Sequence, residues 1–198
     1  MPDRKRTGAV DPPRLTCHWA QSGILAHYHD VEWGVPVHDD RVLFEFLILE
    51  GAQAGLSWET VLKKRERYRE VFDGFDAVRI ARYGDEKVRA LMGDPGIIRN
   101  RLKISSTVTN AQAFLEVQKQ HGGFDSYIWK FTGGKTLRAK RDVPKDVPAR
   151  TAESDAMSNA LKRLGFRFVG STICYAFMQA TGMVNDHLQT CFRYKEIR

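Results

Sequence analysis

The segment from Asp40 to Gly51, DRVLFEFLILEG, constrains the fold more than any other. Its VLFEFLILE stretch leaves so few polar positions that a helix formed there must be covered on almost every side. Such a helix needs neighbours, and the rest of the chain offers helical patterns to supply them. From about Asp40 onward apolar residues recur at helical spacing, with no series of alternating strands, no repeat and no low-complexity block. The expected fold class is all-α. With 198 residues the chain can bury such a core without disulfides. A single domain over residues 15–198 is expected, behind a charged, proline-bearing N-terminal tail, residues 1–14, read as flexible.

Local signals divide the chain further. Ser57 is a candidate N-cap for SWETVLKKRERYREVF, whose Trp58, Val61, Leu62, Tyr68 and Phe72 share one face. Short helices are expected over 76–83 and 86–92, ahead of a GDPG turn at 93–96. A longer helix is expected over about 98–120, with Leu102, Ile104, Val108, Ala111, Phe114 and Leu115 as its apolar stripe and Gly122–Gly123 as its end. The stretch GGKTLRAKRDVPKDVPAR, 133–150, reads as an exposed excursion able to touch phosphate. Thr151 caps a helix that runs through Leu164 and is stopped by Gly165, and another begins near Gly170.

An excess of 31 Lys and Arg over 24 Asp and Glu gives a net charge of +7, which favours polyanionic partners, nucleic acid first among them. The plainer alternative is a solvated basic surface. No apolar run approaches a membrane span and the N-terminus lacks a secretory signal, so the expected location is the cytoplasm, with no membrane partner. Three cysteines, Cys17, Cys174 and Cys191, cannot all pair, which leaves metal binding or burial to account for them. Cys174, in the apolar run STICYAFMQA, fits burial.

His187 and Cys191 are four residues apart, and on a C-terminal helix both would face one metal. Cys17 and His29 near the other end complete a Cys2His2 set suited to zinc, although His18 and His27 compete with His29 by spacing. Four protein ligands leave no open position, so the site would be structural. Elsewhere, LEGAQAGLSW places Glu50 in a buried-looking helix before a glycine-bearing turn and Trp58. A carboxylate there is costly unless it is used. With Tyr28, Trp58, Trp19 and Trp33 it would form an aromatic pocket for a flipped, positively charged base; the competing reading makes these aromatics core filler. In KRLGFRFVGSTICYAFMQATG, Gly165 and Gly170 frame FRFV, and Ser171 and Thr172 open a helix whose amides and hydroxyls can grip phosphate, unless this is an ordinary helical hairpin.

The motifs YHDVEWG, LFEFLILEGAQAGLSWETVLKKRERYR, GIIRNRLKI, GFRFVGSTICYAFMQATG and VNDHLQTC, in that order over about Cys17 to Cys191, resemble the bacterial 3-methyladenine DNA glycosylase I family. The resemblance implies a helix-hairpin-helix glycosylase fold with GFRFVG as the hairpin. It also implies one zinc on Cys17, His29, His187 and Cys191, and base-pocket roles for Glu50, Tyr28 and Trp58. Gly55 and Leu56 match the turn whose leucine fills the duplex beside the lesion. Phe166 and Phe168 stand where many members of the wider superfamily carry a glycine-rich turn, Phe168 and its neighbours facing DNA. Leu25 occupies a pocket position expected to be aromatic in some relatives. The implied activity is hydrolytic excision of 3-methyladenine from double-stranded DNA by a monomer without lyase activity, with Glu50 as the catalytic group. A non-catalytic DNA-binding module and a zinc-dependent hydrolase are the rival readings.

Overall fold

The computed structural model describes residues 14–21 and 23–197. The expected flexible tail lies outside the described residues except for Arg14, whose guanidinium stands 5.2 Å from the centre of the Phe192 ring. Ten α-helices make up most of the described residues, with three short 3-10 helices and two strands of two residues each.

The central helix, α2 (Asp40–Gln53), follows α1 (Gly23–Val31). Every residue of α2 from Leu43 to Ala52 is buried, as the apolar run requires. Its start is fixed twice. The Asp39 carboxylate accepts from the Val42 amide at 2.9 Å, a helix N-cap. Asp40 accepts from the amides of Phe124 and Asp125 at 2.8 and 2.7 Å, so one acidic residue at the head of α2 also starts α7 (Phe124–Ile128). Around α2 pack α3 (Trp58–Val71), α6 (Arg101–His121), α7 and α9 (Ser171–Ala180). The Ser57 cap of α3 is present, its hydroxyl accepting from the Thr60 amide. Two short helices, α4 (Ala77–Ile80) and α5 (Asp85–Gly93), fall where the sequence places them.

Glu45 of α2 is buried, and its carboxylate is met by Arg65 at 2.5 Å and by Arg69 at 2.7 Å, both from α3. Arg65 also reaches Glu32, after α1, at 2.7 Å. These charges satisfy one another across α1, α2 and α3, as buried ions must.

Helix α6 begins at Arg101, capped by Asn100, and ends at Gly122 in a left-handed conformation. Its predicted stripe needs one correction: Leu102 is 71% exposed, while Ser106, Thr107 and Asn110 are buried beside Ile104, Ala111 and Phe114. The apolar residues gave the right helix but not its inner face, because part of that face meets a polar backbone turn. That turn joins α8 (Ala152–Arg163) to α9. Asn110 binds its backbone in both senses, accepting from the Arg167 amide at 2.7 Å and donating to the Arg167 carbonyl at 3.0 Å.

The stretch 133–150 is mostly exposed, as expected, but it is anchored to the C-terminal part of the chain. Strand β1 (Leu137–Arg138) pairs in parallel with β2 (Val184–Asn185), and Arg141 binds the buried Asp186 at 2.9 Å. Arg138 donates to the Tyr194 and Ile197 carbonyls near α10 (Phe192–Glu196). The charged segment is solvated over most of its length, while Arg138 and Arg141 anchor it on C-terminal carbonyls and on a carboxylate.

Asn110→Ala would strand two backbone groups of the α8–α9 turn. The expected loss is about 2–4 kcal/mol, measurable by urea unfolding, with wild-type stability counting against this role.

Candidate functional site

Three buried polar atoms without a hydrogen-bond partner among the described residues, Glu50 Oε2, Tyr28 Oη and Trp58 Nε1, belong to side chains that line one cavity of about 420 Å³. Glu50 comes from the last turns of α2, Tyr28 from α1 and Trp58 from the first turn of α3. The Tyr28 and Trp58 rings lie 5.5 Å apart between centroids. Trp19 and Trp33, 5.0 Å apart and edge to face, complete an aromatic wall. All five residues singled out for the pocket therefore meet there, and Leu25 lines it as well.

Burial alone pushes the Glu50 carboxyl up to about 8. Tyr28 is pushed well above its ordinary value, by burial first and by the neighbouring Glu50 and Glu32 next, so it stays a neutral phenol. An acidic group and two donors thus face an apolar space with no partner of their own.

The cavity also has lining residues that sequence reasoning passed over. Gln53 sits one turn beyond Glu50, and Ala176 and Gln179 present one face of α9. Pro144 and Val147 arrive from the 133–150 stretch. Asp186 lies beside His187 in VNDHLQTC, where its neighbour drew attention to metal rather than to the pocket. It accepts from Gln179 at 2.8 Å and from the Tyr175 hydroxyl, so its charge is satisfied in the wall. Nothing in local sequence announces Pro144 or Val147.

Behind the aromatic wall, the ligand atoms of Cys17, His29, His187 and Cys191 all lie within 4.8 Å of one another, and all four residues are buried. The structure selects His29 and leaves His18 and His27 exposed. His187 Nδ1 is 3.1 Å from His29 Nε2, 3.6 Å from Cys17 Sγ and 3.5 Å from Cys191 Sγ. A tetrahedral ion with ordinary Zn–N and Zn–S lengths places two nitrogens about 3.3 Å apart and a nitrogen and a sulfur about 3.6 Å apart. The cluster therefore fits a four-coordinate metal.

Its outer shell fits too. His29 Nδ1 meets Asp30 at 2.7 Å and His187 Nε2 meets the Trp33 carbonyl at 3.1 Å, so each imidazole is oriented with its other nitrogen turned inward. The Cys191 thiol is held well below its usual range, chiefly by a hydrogen bond from Cys17 against the effect of burial, and also by His187 and His29. One expectation fails. His187 and Cys191 do not share a helix: His187 lies in the loop after β2, and Cys191 precedes α10, folded back by its amide bonding to the Leu188 carbonyl at 2.8 Å. A turn, not a helical repeat, brings them together, because β2 pairing holds the chain extended just before His187. Gly34 is part of the same packing. At φ +82 it permits a backbone turn where a Cβ would come within 3.1 Å of His187 Nε2.

Comparison with known proteins decides the family. A model described as methyladenine glycosylase matches residues 19–194. The chain belongs to the methyladenine glycosylase family. It is 48% identical to DNA-3-methyladenine glycosylase 1 of Escherichia coli (strain K12), over 90% of this chain and 96% of that protein. A crystal structure of 3-methyladenine DNA glycosylase I superposes with a TM-score of 0.88 at 48% identity, covering 90% of this chain and 98% of that one. A variant of 3-methyladenine DNA glycosylase I in complex with 3-methyladenine gives 0.85 at 32% identity, covering 87% and 92%.

In this methyladenine glycosylase family member, the residues singled out for DNA lie away from the cavity's lining, apart from the shared helix ends. Gly55, at φ +80, turns the chain after α2, and Leu56 beside it is 43% exposed. At the other turn Gly165 and Phe168 both have positive φ, and Phe166 is buried in the core. Gly170 precedes α9 without a side-chain cap, which leaves the amides at Ser171 and Thr172 without that partner.

Two measurements follow. Asp30→Ala is expected to lower the affinity of the cluster for Zn²⁺ about 10–100-fold, read by competition with a chromogenic chelator; equal affinities would remove Asp30 from the ligand shell. Glu50→Gln is expected to raise thermal stability. A carboxyl raised to about 8 makes the native state take up a proton above pH 4.5, so wild-type stability falls relative to the variant from about pH 4.5 and levels off beyond about pH 8. A difference independent of pH would contradict that sign.

Proposed function

We propose that the chain is a DNA repair glycosylase that flips 3-methyladenine out of double-stranded DNA and hydrolyses its glycosidic bond, leaving an abasic site in an intact strand. The observation that carries this is the convergence of unpartnered Glu50, Tyr28 and Trp58 polar atoms on one aromatic cavity. The named activity of the relatives and the 3-methyladenine complex of one of them support the same substrate.

The chemistry follows from the base. Methylation of the adenine ring makes it cationic in the nucleotide, so it departs with little acid assistance and the sugar gains oxocarbenium character. The enzyme's task is then to unstack the base, hold it between aromatic faces and favour its charge. Glu50 accepts hydrogen bonds from the purine edge, while the Tyr28 hydroxyl and the Trp58 indole N–H meet its acceptors. A cationic base against the buried carboxyl brings its raised value down and displaces its proton, so recognition selects positive charge. Water then attacks the sugar. No lysine lines the cavity among the described residues, which supports a reading without a lyase step.

Cys17, His29, His187 and Cys191 would hold one zinc, which supplies folding energy and, with four protein ligands, no open coordination position. On this reading residues 15–198 act as one domain and one monomer, in the cytoplasm; among the described residues no helix is long and apolar enough to cross a membrane. The α8–α9 turn serves as a helix-hairpin-helix phosphate grip through Gly170, Ser171 and Thr172, and Leu56 fills the duplex where the base has left.

Release of 3-methyladenine from methylated duplex tests the reading. Wild type is expected to release the base without strand cleavage, faster as pH rises toward about 8. Glu50→Gln should be slower on the order of 10–100-fold and lose that pH dependence. Equal rates would remove Glu50 from the chemistry, and duplex binding without release would leave a DNA-binding module.

A further inference from the structure

Pro144 and Val147 give the cavity a side that no helix of the core supplies, yet little in their own neighbourhood holds them there. They belong to a single 3-10 turn, Pro144–Asp146, steadied by the Asp146 carboxylate, which accepts from the Asp142 and Val143 amides at 3.1 Å each. Every residue from Asp142 to Asp146 is exposed. Burial therefore does not fix this turn, and bonds to another part of the chain must do so.

Those bonds all run to the stretch that carries two of the four clustered ligands. The Ala139 amide donates to the Asn185 carbonyl at 3.2 Å, and the Arg141 guanidinium donates to Asp186 at 2.9 Å. Gln189 then makes two bonds, its amide to the Arg141 carbonyl at 2.8 Å and its side chain to the Asp142 carboxylate at 2.6 Å. Asn185 and Asp186 lead into His187, and Gln189 lies between His187 and Cys191. The strap from Ala139 to Val147 is thus fastened along its length to the loop whose shape the cluster sets. Gln189 and Asp142 make the last of these bonds before the turn, and neither lines the cavity.

We propose that Gln189 and Asp142 are positioning residues for the base site: their pair sets the strap on the ligand loop, so that Pro144 and Val147 pack on the bound base. The proposal rests on the glycosylase reading and deepens it, because it makes base binding and metal retention parts of one coupled device. A loop closed on a metal holds the strap where the base meets it. A base resting on the strap in turn resists opening of the loop, and the coupling has the same size in both directions.

The test uses the full zinc-loaded chain and free 3-methyladenine, with affinity read from the quenching of tryptophan fluorescence. Gln189→Ala and Asp142→Ala should each weaken binding several-fold with the melting temperature unchanged. Their combination should weaken it no more than either alone, since both remove one bond. Asp142→Asn keeps an acceptor and should bind as wild type does. Saturating 3-methyladenine should slow the loss of zinc to a chelator several-fold in wild type but not in Asp142→Ala, whereas stabilisation of the whole fold by the base would slow both alike. If Asp142→Ala and Gln189→Ala bind the base as wild type does while Glu50→Gln is impaired, the pair does not position the strap and the glycosylase reading stands. Equal slowing of zinc loss in wild type and Asp142→Ala overturns the coupling. Wild type that neither binds the free base nor releases it from methylated duplex overturns the glycosylase reading as well.

Discussion

A helix buried continuously from Leu43 to Ala52 must account for each polar side chain in that stretch, and α2 carries two buried glutamates that do so in opposite ways. Glu45 is enclosed by the guanidiniums of Arg65 and Arg69, so its charge is repaid where it stands and joins α2 to α3. Glu50, five residues on and equally buried, keeps an oxygen without a partner, and burial alone raises it to about 8. A carboxyl in that state costs stability unless another molecule compensates it. The same helix thus holds one carboxylate satisfied within the fold and one left without a partner beside the cavity.

The two chain ends matter because their meeting point backs the pocket. Trp19 stands edge-on to His29 at 5.3 Å, and Trp33 stands edge-on to His187 at 4.5 Å while its carbonyl receives the other nitrogen of that ring. Cys17 lines the cavity itself. The four ligand side chains therefore fix the position of the wall against which a base would lie. A metal held there would act on recognition through rigidity rather than through bond-breaking, leaving the proposed chemistry to Glu50, 3% exposed on a different element.

Much of this was legible in sequence where the signal was local. The apolar run of α2, the Ser57 cap, the Thr151 cap and the Gly122 stop each depend on residues within a turn of one another, and each appears as read. The pocket residues and the ligand set came from ordered motifs, and spacing alone left His18, His27 and His29 equivalent. What was not legible depended on distant partners. Leu102 looked like core because its inner neighbours Ser106 and Asn110 are polar, and they are buried only because a backbone turn from residue 167 arrives to meet Asn110. Likewise, nothing within a turn of Arg138 or Arg141 announces that C-terminal carbonyls and Asp186 supply their acceptors.

The α8–α9 turn is held at a fixed distance from the pocket. Phe168 adopts φ 54, a left-handed conformation that glycine takes easily and a bulky residue takes at a cost of about 1–2 kcal/mol. Its backbone and Cβ lie against Gly51, where any added Cβ would stand 3.2 Å from Phe168 Cβ and 3.4 Å from its carbonyl oxygen. Close approach therefore needs both the unusual turn at Phe168 and the bare backbone at Gly51. Gly51 directly follows Glu50, so the turn proposed to hold phosphate is set against the residue beside the acidic group of the pocket. A glycine-rich turn would relieve the strain at position 168 but would lose the side chain that borders Ser106 and Asn110 across the gap. The phenylalanine exchanges backbone ease for a fixed distance between the turn proposed to hold phosphate and the cavity proposed to receive the base.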